Sequence, residues 1–347
     1  MKKIYIILQN GQVFEGKSFG AEGRVVGEII FTTSMVGYLE ALTDPVYHGQ
    51  ILVQTFPLIG NYGVIEQDLE TQKIHASAYV VREWAQNPSN YRCGGDIDSW
   101  LKKNGVVGIC DVDTRALAEA IRDFGVMNAI ITDTLPDPIV PDEVITYAVK
   151  NSILAVTCAE KKSYPAENAR YNVALYDFGV TNSVIGSLTK RGCNVTVFPA
   201  STPASEILDG GFDGVVLSNG PCGDPKDNVE IILEIRKLLG KLPIFGMGLG
   251  HQLAARAAGA GTTKLKFGHH GANQPVKNTE TGKVEITSQA HLYTVNPARL
   301  PTSATLTETN VLDGSVEAIE YREQKAFTVQ YYPCDIHFDK FVELMKK

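Results

Sequence analysis

Three glycines at alternate positions, Gly246, Gly248 and Gly250, stand between a short apolar run and a segment rich in Ala, Leu and Gln. The apolar run over residues 243–247 predicts a buried strand, and residues 250–258 favour a helix. A strand that turns sharply into a helix, with glycine two positions on either side of the central residue, is typical of a nucleophile elbow. Such an elbow performs covalent catalysis through a central Ser or Cys, and here the central residue is Gly248, which has no side chain.

Two other interpretations of this turn stay open. A glycine-rich strand-to-helix turn can bind the phosphate of a dinucleotide through backbone N–H groups. That fingerprint requires a third glycine where His251 stands, and an acidic residue about 20 residues later. Residues 266–271 (Lys-Phe-Gly-His-His-Gly) contain none. The other interpretation is a tight turn without function, because short glycine motifs often occur by chance.

Composition restricts the classes of function that the chain can have. Its 347 residues are enough for two domains, and 44% hydrophobic and 20% charged residues are ordinary for a soluble globular protein. The net charge is −7 with no basic block, so we expect no nucleic-acid partner. No apolar run reaches the length of a signal-peptide core or a membrane span, so we expect no membrane partner. Six scattered cysteines without a C-x-x-C pair favour a reduced, cytoplasmic protein without a zinc site or a disulfide framework.

The first region of the chain, residues 1–150, predicts a β-rich mixed domain. Asn10-Gly11 lies between two apolar runs and predicts a hairpin, because both residues tolerate positive φ. Asp113 is expected to cap a helix that ends at Gly125. A further helix is predicted over residues 142–156, and the polar, Pro-containing stretch that follows predicts an interdomain linker, placed at residues 151–170.

The second region, residues 171–347, has a more regular pattern. Predicted strands alternate with predicted helices, which indicates a central, mostly parallel sheet covered on both faces. Ligands of such sheets bind at the carboxyl ends of the strands. Both the glycine elbow and the loop over residues 218–225 (Ser-Asn-Gly-Pro-Cys-Gly-Asp-Pro) fall at that edge. From Lys264 onward the pattern is β-rich, and a final helix is predicted over residues 336–345.

Motifs in both regions occur together in one protein family. In the first region they are residues 27–38 (Gly-Glu-Ile-Ile-Phe-Thr-Thr-Ser-Met-Val-Gly-Tyr), 42–45 (Leu-Thr-Asp-Pro), 59–63 (Ile-Gly-Asn-Tyr-Gly) and 113–115 (Asp-Thr-Arg). In the second they are residues 176–179 (Tyr-Asp-Phe-Gly), 217–221 (Leu-Ser-Asn-Gly-Pro), 249–252 (Leu-Gly-His-Gln), 266–271, 286–289 (Ile-Thr-Ser-Gln) and 327–330 (Phe-Thr-Val-Gln). With these motifs the chain resembles, over nearly its whole length, the small, glutamine-hydrolysing subunit of carbamoyl-phosphate synthetase.

The resemblance implies an α/β fold in two parts. Residues 1–150 would form the β-rich mixed N-terminal domain of the small subunit. Residues 171–347 would form a class I glutamine amidotransferase-like (flavodoxin-like) domain with a central, mostly parallel sheet.

The family's chemistry requires a triad in which a Cys attacks the glutamine amide, a His relays the proton and a Glu orients the His. The corresponding positions in this chain are Gly248, Tyr332 and Cys334. Tyr has an ordinary pKa of about 10, too high for a base at neutral pH, and Cys334 cannot supply a carboxylate. The Pro- and Gly-containing loop that the family has after the triad is missing here. The resemblance therefore implies that no catalytic residue is intact.

The resemblance also implies a remnant of the glutamine pocket. Its positions in this chain are Val46, Gly220, Gly223, Leu249, Gln252, Ala290, Leu292 and Tyr293. Val46 stands in place of a Ser, Ala290 in place of an Asn, and Leu292 in place of a Gly, so that a side chain is expected where the family has none. Cys222 is an insertion in the Asn-Gly-Pro-Gly loop that forms part of the family's oxyanion hole. Gly220, Leu249, Gln252 and Tyr293 keep matching or similar residues.

We therefore expect a small-subunit homologue with an inactive glutaminase site. It would be retained as a structural or regulatory partner of the large subunit, which uses ATP, bicarbonate and ammonia to make carbamoyl phosphate for pyrimidine and arginine synthesis. No cofactor is expected in this chain, and ATP and metal are expected only on the large subunit.

Two alternatives stay open. The first is an active amidotransferase with a rebuilt site, in which Cys222 or Cys334 would serve as nucleophile near His251 or His291. The second is a stand-alone small-molecule sensor. His269, His270 and Gln252 are expected to be structural.

Overall fold

The computed structural model describes residues 1–150 and 152–346. The chain divides into two compact units, residues 1–150 and residues 151–347. Asn151, the first residue of the predicted linker, and Lys347, the last residue of the predicted second domain, lie outside the described residues. Within the described ranges, no helix combines the length and the apolar character that a membrane crossing requires.

The first unit is a closed β-barrel with helices outside it. Its strands are β1 (Lys3–Leu8), β2 (Val13–Gly20), β3 (Val25–Thr32), β4 (Gln50–Ile59), β5 (Ala78–Trp84), β6 (Val107–Cys110) and β7 (Met127–Thr132). Its helices are α1 (Tyr38–Thr43), α2 (Ile97–Lys103), α3 (Thr114–Phe124) and α4 (Asp142–Thr146). The strand order is β1-β2-β6-β5-β4-β3-β7, and β7 pairs with β1 to close the barrel. Strands β3 to β6 run parallel and the remaining pairs are antiparallel, which confirms a β-rich mixed domain.

Local signals in the first unit act as the sequence predicts, with one exception. The Asn10-Gly11 turn joins β1 to β2, and Asp113 caps α3 by accepting a hydrogen bond from the Ala116 N–H at 3.0 Å. The single helix predicted over residues 142–156 is wrong, because α4 ends at Thr146 and a separate helix, α5 (Ser152–Val156), follows. The carboxamide of Asn128 donates hydrogen bonds to the Val144 and Tyr147 carbonyls, and these contacts end α4.

The second unit is built on one large sheet. After α5, its strands are β8 (Lys162–Tyr164), β9 (Tyr171–Asp177), β10 (Cys193–Pro199), β11 (Gly214–Leu217), β12 (Ile244–Met247), β13 (Gly261–Asn278), β14 (Val284–Asn296), β15 (Thr305–Asn310), β16 (Val316–Tyr321) and β17 (Ala326–Val329). Its remaining helices are α6 (Asn182–Thr189), α7 (Ala204–Asp209), α8 (Val229–Leu238), α9 (Leu249–Ala257) and α10 (Asp335–Met345). The strand order is β14-β13-β15-β16-β17-β12-β11-β9-β10-β8.

The centre of this sheet, from β17 through β12, β11 and β9 to β10, is parallel. Its strands are buried on both faces, because α7, α8 and α9 pack into one apolar cluster and α6 and α10 into another. This arrangement confirms the predicted α/β domain with a central, mostly parallel sheet covered on both faces. The stretch predicted as a linker is different: it carries α5 and β8, and β8 pairs antiparallel with β10 at the edge of the sheet. Pairing of its backbone with β10 gives this polar stretch a fixed place in the second unit.

The carboxyl ends of the parallel strands meet at one edge of the sheet. Strand β11 ends before Ser218, β12 before Gly248, and β17 before Gln330. Loops that are far apart in sequence are therefore adjacent in space at this edge, which is where open α/β sheets bind ligands.

Candidate functional site

The turn between β12 and α9 has the sharp geometry of an elbow. Gly248 has φ 53° and ψ −114°, a conformation that side chains rarely adopt, and its N–H donates to the Val329 carbonyl at 2.9 Å. The flanking glycines allow close packing, since a Cβ on Gly246 would lie 2.8 Å from the Thr328 methyl carbon. A Cβ on Gly250 would overlap the Leu217 carbonyl oxygen. Gly250 therefore lets α9 lie directly against β11, and Gly246 lets β12 pack closely beside Thr328 of β17.

The side chain of Asn219 occupies the position where a nucleophile's side chain would begin. A Cβ placed on Gly248 would overlap the Asn219 carboxamide. The Asn219 Oδ1 accepts a hydrogen bond from the backbone N–H of Leu249 at 2.9 Å. In a nucleophile elbow, the N–H of the residue after the nucleophile is an oxyanion-hole donor. Asn219 thus fills the space of the missing side chain and also takes up the donor that would bind a tetrahedral intermediate.

Little space is left beside the elbow. Asn219, Met247, Tyr331, Tyr332 and Pro333 help to line a cavity of about 10 Å³. That volume is about the minimum for one water molecule, whereas ligand pockets usually measure hundreds of Å³. The structure therefore brings Tyr332 close to the elbow, where it helps to line this small space.

Neighbouring atoms leave no space for a side chain at the two glycines predicted for the remnant pocket, Gly220 and Gly223. A Cβ on Gly220 would overlap the Phe178 carbonyl oxygen and would lie 3.0 Å from a methyl carbon of Leu249. A Cβ on Gly223 would lie 2.7 Å from the Ser152 Oγ. Gly220 and Leu249 are therefore neighbours at the elbow.

Of the predicted pocket residues, Gln252 on α9 and Ala290 and Leu292 on β14 are buried in the second unit, whereas Tyr293 is half-buried. Gln252 donates hydrogen bonds to the Tyr293 carbonyl at 2.7 Å and to the Gln330 Oε1 at 3.0 Å. Ala290 is 3% exposed and Leu292 is 1% exposed. A Cβ on Gly268 would lie 2.7 Å from the Leu292 Cδ2, so the Leu292 side chain packs against Gly268.

Val46 belongs to the first unit. It lies in a short 3-10 helix over Pro45–Tyr47, it is fully buried, and its N–H donates to the Asp44 Oδ1 at 2.9 Å. The apolar side chain of Val46 is suited to a buried position, and it offers no hydroxyl for hydrogen bonding to a ligand.

The histidines considered as bases for a rebuilt site are both buried. His251 is fully buried, with its Nδ1 2.7 Å from the Thr328 Oγ1, and burial lowers its pKa to about 3. His291 contacts the Gln289 Oε1 and the Tyr293 carbonyl, each at 2.9 Å, and burial lowers its pKa. Cys222 is half-buried. Cys334 is exposed at the N-cap of α10, and its Sγ lies 3.3 Å from the Nδ1 of a different histidine, His337.

A buried polar cluster on β13, β14 and β16 has the residue types of a metal site. Ligand atoms of His269, His291 and Glu317 lie within 4.8 Å of one another. The Oε1 of Gln289 is 2.9 Å from the His269 Nδ1 and also 2.9 Å from the His291 Nε2, and its Nε2 donates to Glu317 at 2.9 Å. Hydrogen bonds of the Gln289 amide therefore hold the three side chains together.

No sequence motif marks Asn219, Tyr331, His337 or Glu308 as functional. Asn219 was visible only as part of a loop motif, and nothing local shows that its side chain reaches a turn 29 residues away. Cys334 and His337 carried no signal either, because the capping-box signature has Ser or Thr at the N-cap and Glu or Gln three residues later. The two side chains bond each other's backbone in that way here.

Two family models and several known proteins match the sequence of this chain. The family model of the carbamoyl-phosphate synthase small chain, CPSase domain, matches residues 6–131, and that of class-I glutamine amidotransferases matches residues 174–338. The carbamoyl phosphate synthase small chain of Clostridium perfringens is 45% identical over 95% of this chain and 94% of its own length. That of Syntrophotalea carbinolica is 43% identical over 99% of this chain and 98% of its own. The pyrimidine-specific small chain of Lactiplantibacillus plantarum is 42% identical over 99% and 97%. The chain therefore belongs to the carbamoyl-phosphate synthase small chain family.

Proposed function

We propose that this chain is a carbamoyl-phosphate synthase small subunit whose glutaminase site is inactive, and that it holds or regulates a large subunit which draws ammonia from solution. One observation carries the proposal: the Asn219 carboxamide stands where the nucleophile would be and binds the Leu249 N–H. A family member that hydrolysed glutamine at this elbow would need that space for a thiolate and that N–H for an oxyanion.

The other two triad positions support the same conclusion. Tyr332 contributes to the wall of the small cavity beside the elbow, and Cys334 lies exposed at the start of α10. Neither side chain offers the imidazole or the carboxylate that the reaction requires. Four features of an active site are missing together: the nucleophile, the base, the orienting acid and the open pocket. Such a combined loss is typical of a site that no longer catalyses its reaction.

The expected partner, a large subunit, is inferred from the family to which the chain belongs. Small chains act with a large chain, and the motifs of the first unit are kept although the elbow has lost its nucleophile. ATP, its metal ion and bicarbonate would bind to the large subunit, and this chain would need no cofactor. One relative is named as pyrimidine-specific, so the carbamoyl phosphate of the complex would serve pyrimidine synthesis, with arginine synthesis as the second outlet. The complex would be a cytoplasmic heterodimer.

The nitrogen source of the complex tests the proposal. The chain is co-expressed with the large subunit from its own source, and carbamoyl phosphate formation is measured with ammonium and with glutamine. We expect activity with ammonium only. The matched control is the same large subunit with the Clostridium perfringens small chain. Glutamine-dependent synthesis above background by this chain would overturn the proposed inactivity, and separate elution of the two subunits at micromolar concentration would overturn the partnership in favour of a stand-alone sensor.

A rebuilt active site is the second candidate, because Cys334 lies 3.3 Å from an imidazole nitrogen of His337. It predicts glutamine-dependent activity that Cys334→Ser abolishes. Lack of effect of Cys334→Ser on any such activity would exclude it, and Cys222→Ser tests the other thiol in the same way.

A further inference from the structure

The buried polar cluster on β13, β14 and β16 gathers electron-pair donors at one point inside the second unit. His269, Gln289, His291 and Glu317 are all buried, and ligand atoms of the two histidines and the glutamate lie within 4.8 Å of one another. Imidazole nitrogens and carboxylate oxygens are groups through which proteins bind divalent transition-metal ions. The cluster therefore has the donors of a metal site.

Each imidazole is held from outside the cluster by an oxygen that accepts hydrogen bonds. The His269 Nε2 lies 3.0 Å from the Asp313 Oδ2, and the His291 Nδ1 lies 2.9 Å from the Tyr293 carbonyl oxygen. Hydrogen bonds to these oxygens require a proton on each outer nitrogen. Histidines that bind metal ions almost always donate their other N–H to a carboxylate or a backbone carbonyl in this way. The inner nitrogens, the His269 Nδ1 and the His291 Nε2, then face the centre of the cluster.

The amide of Gln289 directs its oxygen at both inner nitrogens. The Gln289 Oε1 lies 2.9 Å from the His269 Nδ1 and 2.9 Å from the His291 Nε2. The Thr287 hydroxyl gives its one proton to the Gln274 carbonyl, so it accepts from the Gln289 Nε2, which lies 3.0 Å away. This contact fixes which end of the amide faces the histidines.

His291 therefore lies between two acceptors. Its Nδ1 faces the Tyr293 carbonyl oxygen and its Nε2 faces the Gln289 Oε1, but a neutral imidazole has only one N–H. A second proton is disfavoured, because burial and the nearby His269 lower the pKa of His291. One of the two contacts thus sets a nitrogen lone pair against an oxygen lone pair in a buried site, which is costly. A metal ion bound to the His291 Nε2 and the Gln289 Oε1 removes this repulsion.

The charge of the cluster also favours a cation. The carboxylates of Asp313 and Glu317 flank His269, at 3.0 Å from its Nε2 and 3.7 Å from its Nδ1. A proton shared with His269 supplies one positive charge against these two negative charges. Burial lowers the pKa of His251 and of His270 to about 3, so these two neighbouring histidines supply none at neutral pH. A divalent ion in place of the proton balances both carboxylates.

We propose that this cluster binds a divalent transition-metal ion such as Zn²⁺ through the His269 Nδ1, the His291 Nε2, the Gln289 Oε1 and the Glu317 carboxylate. The ion replaces the proton that the His269 Nδ1 carries in the metal-free chain. Ligands about 2.0–2.1 Å from an ion and at right angles to each other lie about 2.9 Å apart, which is the distance from the Gln289 Oε1 to each histidine nitrogen. Asp313 holds the His269 ring in the orientation that binding requires.

The donor set decides the class of ion. Two imidazoles with two oxygens suit Zn²⁺ and related transition-metal ions, whereas Mg²⁺ and Ca²⁺ prefer oxygen ligands alone. Four protein ligands complete the coordination of Zn²⁺, as in structural zinc sites. The ion therefore joins β13, β14 and β16 and takes no part in catalysis, so the proposed function still needs no catalytic cofactor. The cluster reaches the surface at Asp313, whose side chain is 40% exposed, and this is where an ion can enter.

The test uses the full chain, stripped of metal with a chelator and desalted, with Zn²⁺ as the probe. We expect one Zn²⁺ per chain by elemental analysis after gel filtration. Zn²⁺ should also raise the melting temperature, because a ligand that binds only the folded state stabilises it. Mg²⁺ should leave the melting temperature unchanged. Co²⁺ in the same site should give the visible absorption bands of a four-coordinate ion with nitrogen and oxygen ligands.

Asp313→Asn is the sharpest variant, because it changes a residue that orients a ligand and leaves all four ligands in place. Asn keeps the oxygen that accepts the Ser315 N–H at 2.9 Å, but the carboxylate that accepts from His269 is lost. Loss of such a contact typically weakens metal binding about 10–100-fold, and we expect a loss in that range. Glu317→Gln and His291→Gln remove ligands and should weaken Zn²⁺ binding at least as much.

His75→Gln, at a histidine of the first unit, is the matched control and should leave the affinity for Zn²⁺ unchanged. Equal affinities of the wild type, Asp313→Asn and His75→Gln would overturn the proposal, because the ion would then bind elsewhere. Failure of the wild type to retain Zn²⁺, with an unchanged melting temperature, would also overturn it. Where Glu317→Gln or His291→Gln does not fold, Asp313→Asn decides the outcome. Every readout is metal binding or stability, so the test does not depend on glutamine hydrolysis.

Discussion

The Oδ1 of Asn219 and the backbone N–H of Leu249 are joined by a hydrogen bond of 2.9 Å, directly across the turn at Gly248. Leu249 is the first residue of α9, so its N–H has no acceptor inside the helix. Asn219 therefore caps α9 from a neighbouring strand end. The same contact fills the position at which the side chain of a nucleophile would begin.

Substitution of Gly248→Cys should destabilise the second unit without restoring glutaminase activity. A side chain at φ 53° and ψ −114° costs about 1–3 kcal/mol. Displacement of Asn219 adds the loss of a hydrogen bond, about 0.5–1.5 kcal/mol. Reduced freedom of the unfolded chain offsets only about 0.4–1 kcal/mol. Thermal melts and a glutamate-release assay measure both effects.

Gly248→Ala is the matched control for this variant, because it adds the same Cβ without a thiol. The two variants should lose similar stability and should both lack glutaminase activity. Substantial glutamate release by Gly248→Cys alone would show that the site has not decayed as a unit. Stability equal to that of the wild type would mean that the elbow is unstrained.

The capping role of Asn219 predicts a difference between two substitutions. Asn219→Ala leaves the Leu249 N–H without its acceptor and should lower the free energy of unfolding by about 1 kcal/mol. Asn219→Asp keeps an acceptor oxygen and adds a negative charge at the N-terminus of α9, so its loss should be smaller. Denaturant unfolding of both variants gives the comparison.

A double-mutant cycle relates the two positions. In an Asn219→Ala background, Gly248→Cys no longer displaces a side chain, so its cost should be smaller than in the wild type. Strictly additive effects would indicate that Asn219 and position 248 do not compete for the same space.

Gly250→Ala should be more damaging than Gly248→Ala, although alanine favours helices and Gly250 lies in α9. The new Cβ would overlap the backbone carbonyl of Leu217 and lie 2.8 Å from the Leu217 Cβ. The backbone of β11, a central strand, cannot move away from the new Cβ in Gly250→Ala, whereas the Asn219 side chain can move away from it in Gly248→Ala. Comparison of the two melting temperatures measures this, and a smaller loss for Gly250→Ala would show that α9 can shift away from β11.

Stability should depend on pH with opposite slopes on the two sides of about pH 6.5, the ordinary pKa of histidine. Burial lowers the pKa of His251 and of His270 to about 3. The folded state therefore binds fewer protons than the unfolded state between about pH 3 and 6.5, and stability rises with pH across that window. His269 is the reverse case: burial opposes its protonation, but two carboxylates outweigh burial and raise its pKa to about 9. The His269 Nε2 is hydrogen-bonded to the Asp313 Oδ2 at 3.0 Å, and the Glu317 carboxylate lies 3.7 Å from the His269 Nδ1. Its contribution is complete below about pH 6.5 and is lost as the pH rises through 9.

His269→Gln isolates the alkaline slope of this profile. It should flatten the fall in the free energy of unfolding between about pH 6.5 and 9 and leave the acid side in place. His75→Gln, at a histidine of the first unit whose pKa burial lowers to about 4, should leave the alkaline slope of the second unit unchanged. An unchanged alkaline slope in His269→Gln would assign that slope to other groups.

Local rules were enough for much of the fold. The Asn10-Gly11 hairpin, the Asp113 cap and the strand–glycine–helix turn at Gly248 each depend on a few adjacent residues, whose φ and ψ preferences act over that range. The prediction of one helix over residues 142–156 failed, because it is the Asn128 side chain, on β7, that ends α4. The polar stretch taken as a linker gained a strand because β10 offered it an edge.

The sequence by itself determined that the elbow lacks a nucleophile, since the presence or absence of a side chain at Gly248 is a property of that residue. Tertiary structure decided what replaces it. Asn219 reaches the turn because β11 and β12 are adjacent parallel strands whose carboxyl ends meet. Glu308 reaches the Tyr331 hydroxyl because β15, β16 and β17 are neighbours in the sheet. Side-chain contacts between such segments depend on strand order and register, which are set by burial over the whole sheet and not by any local run of residues.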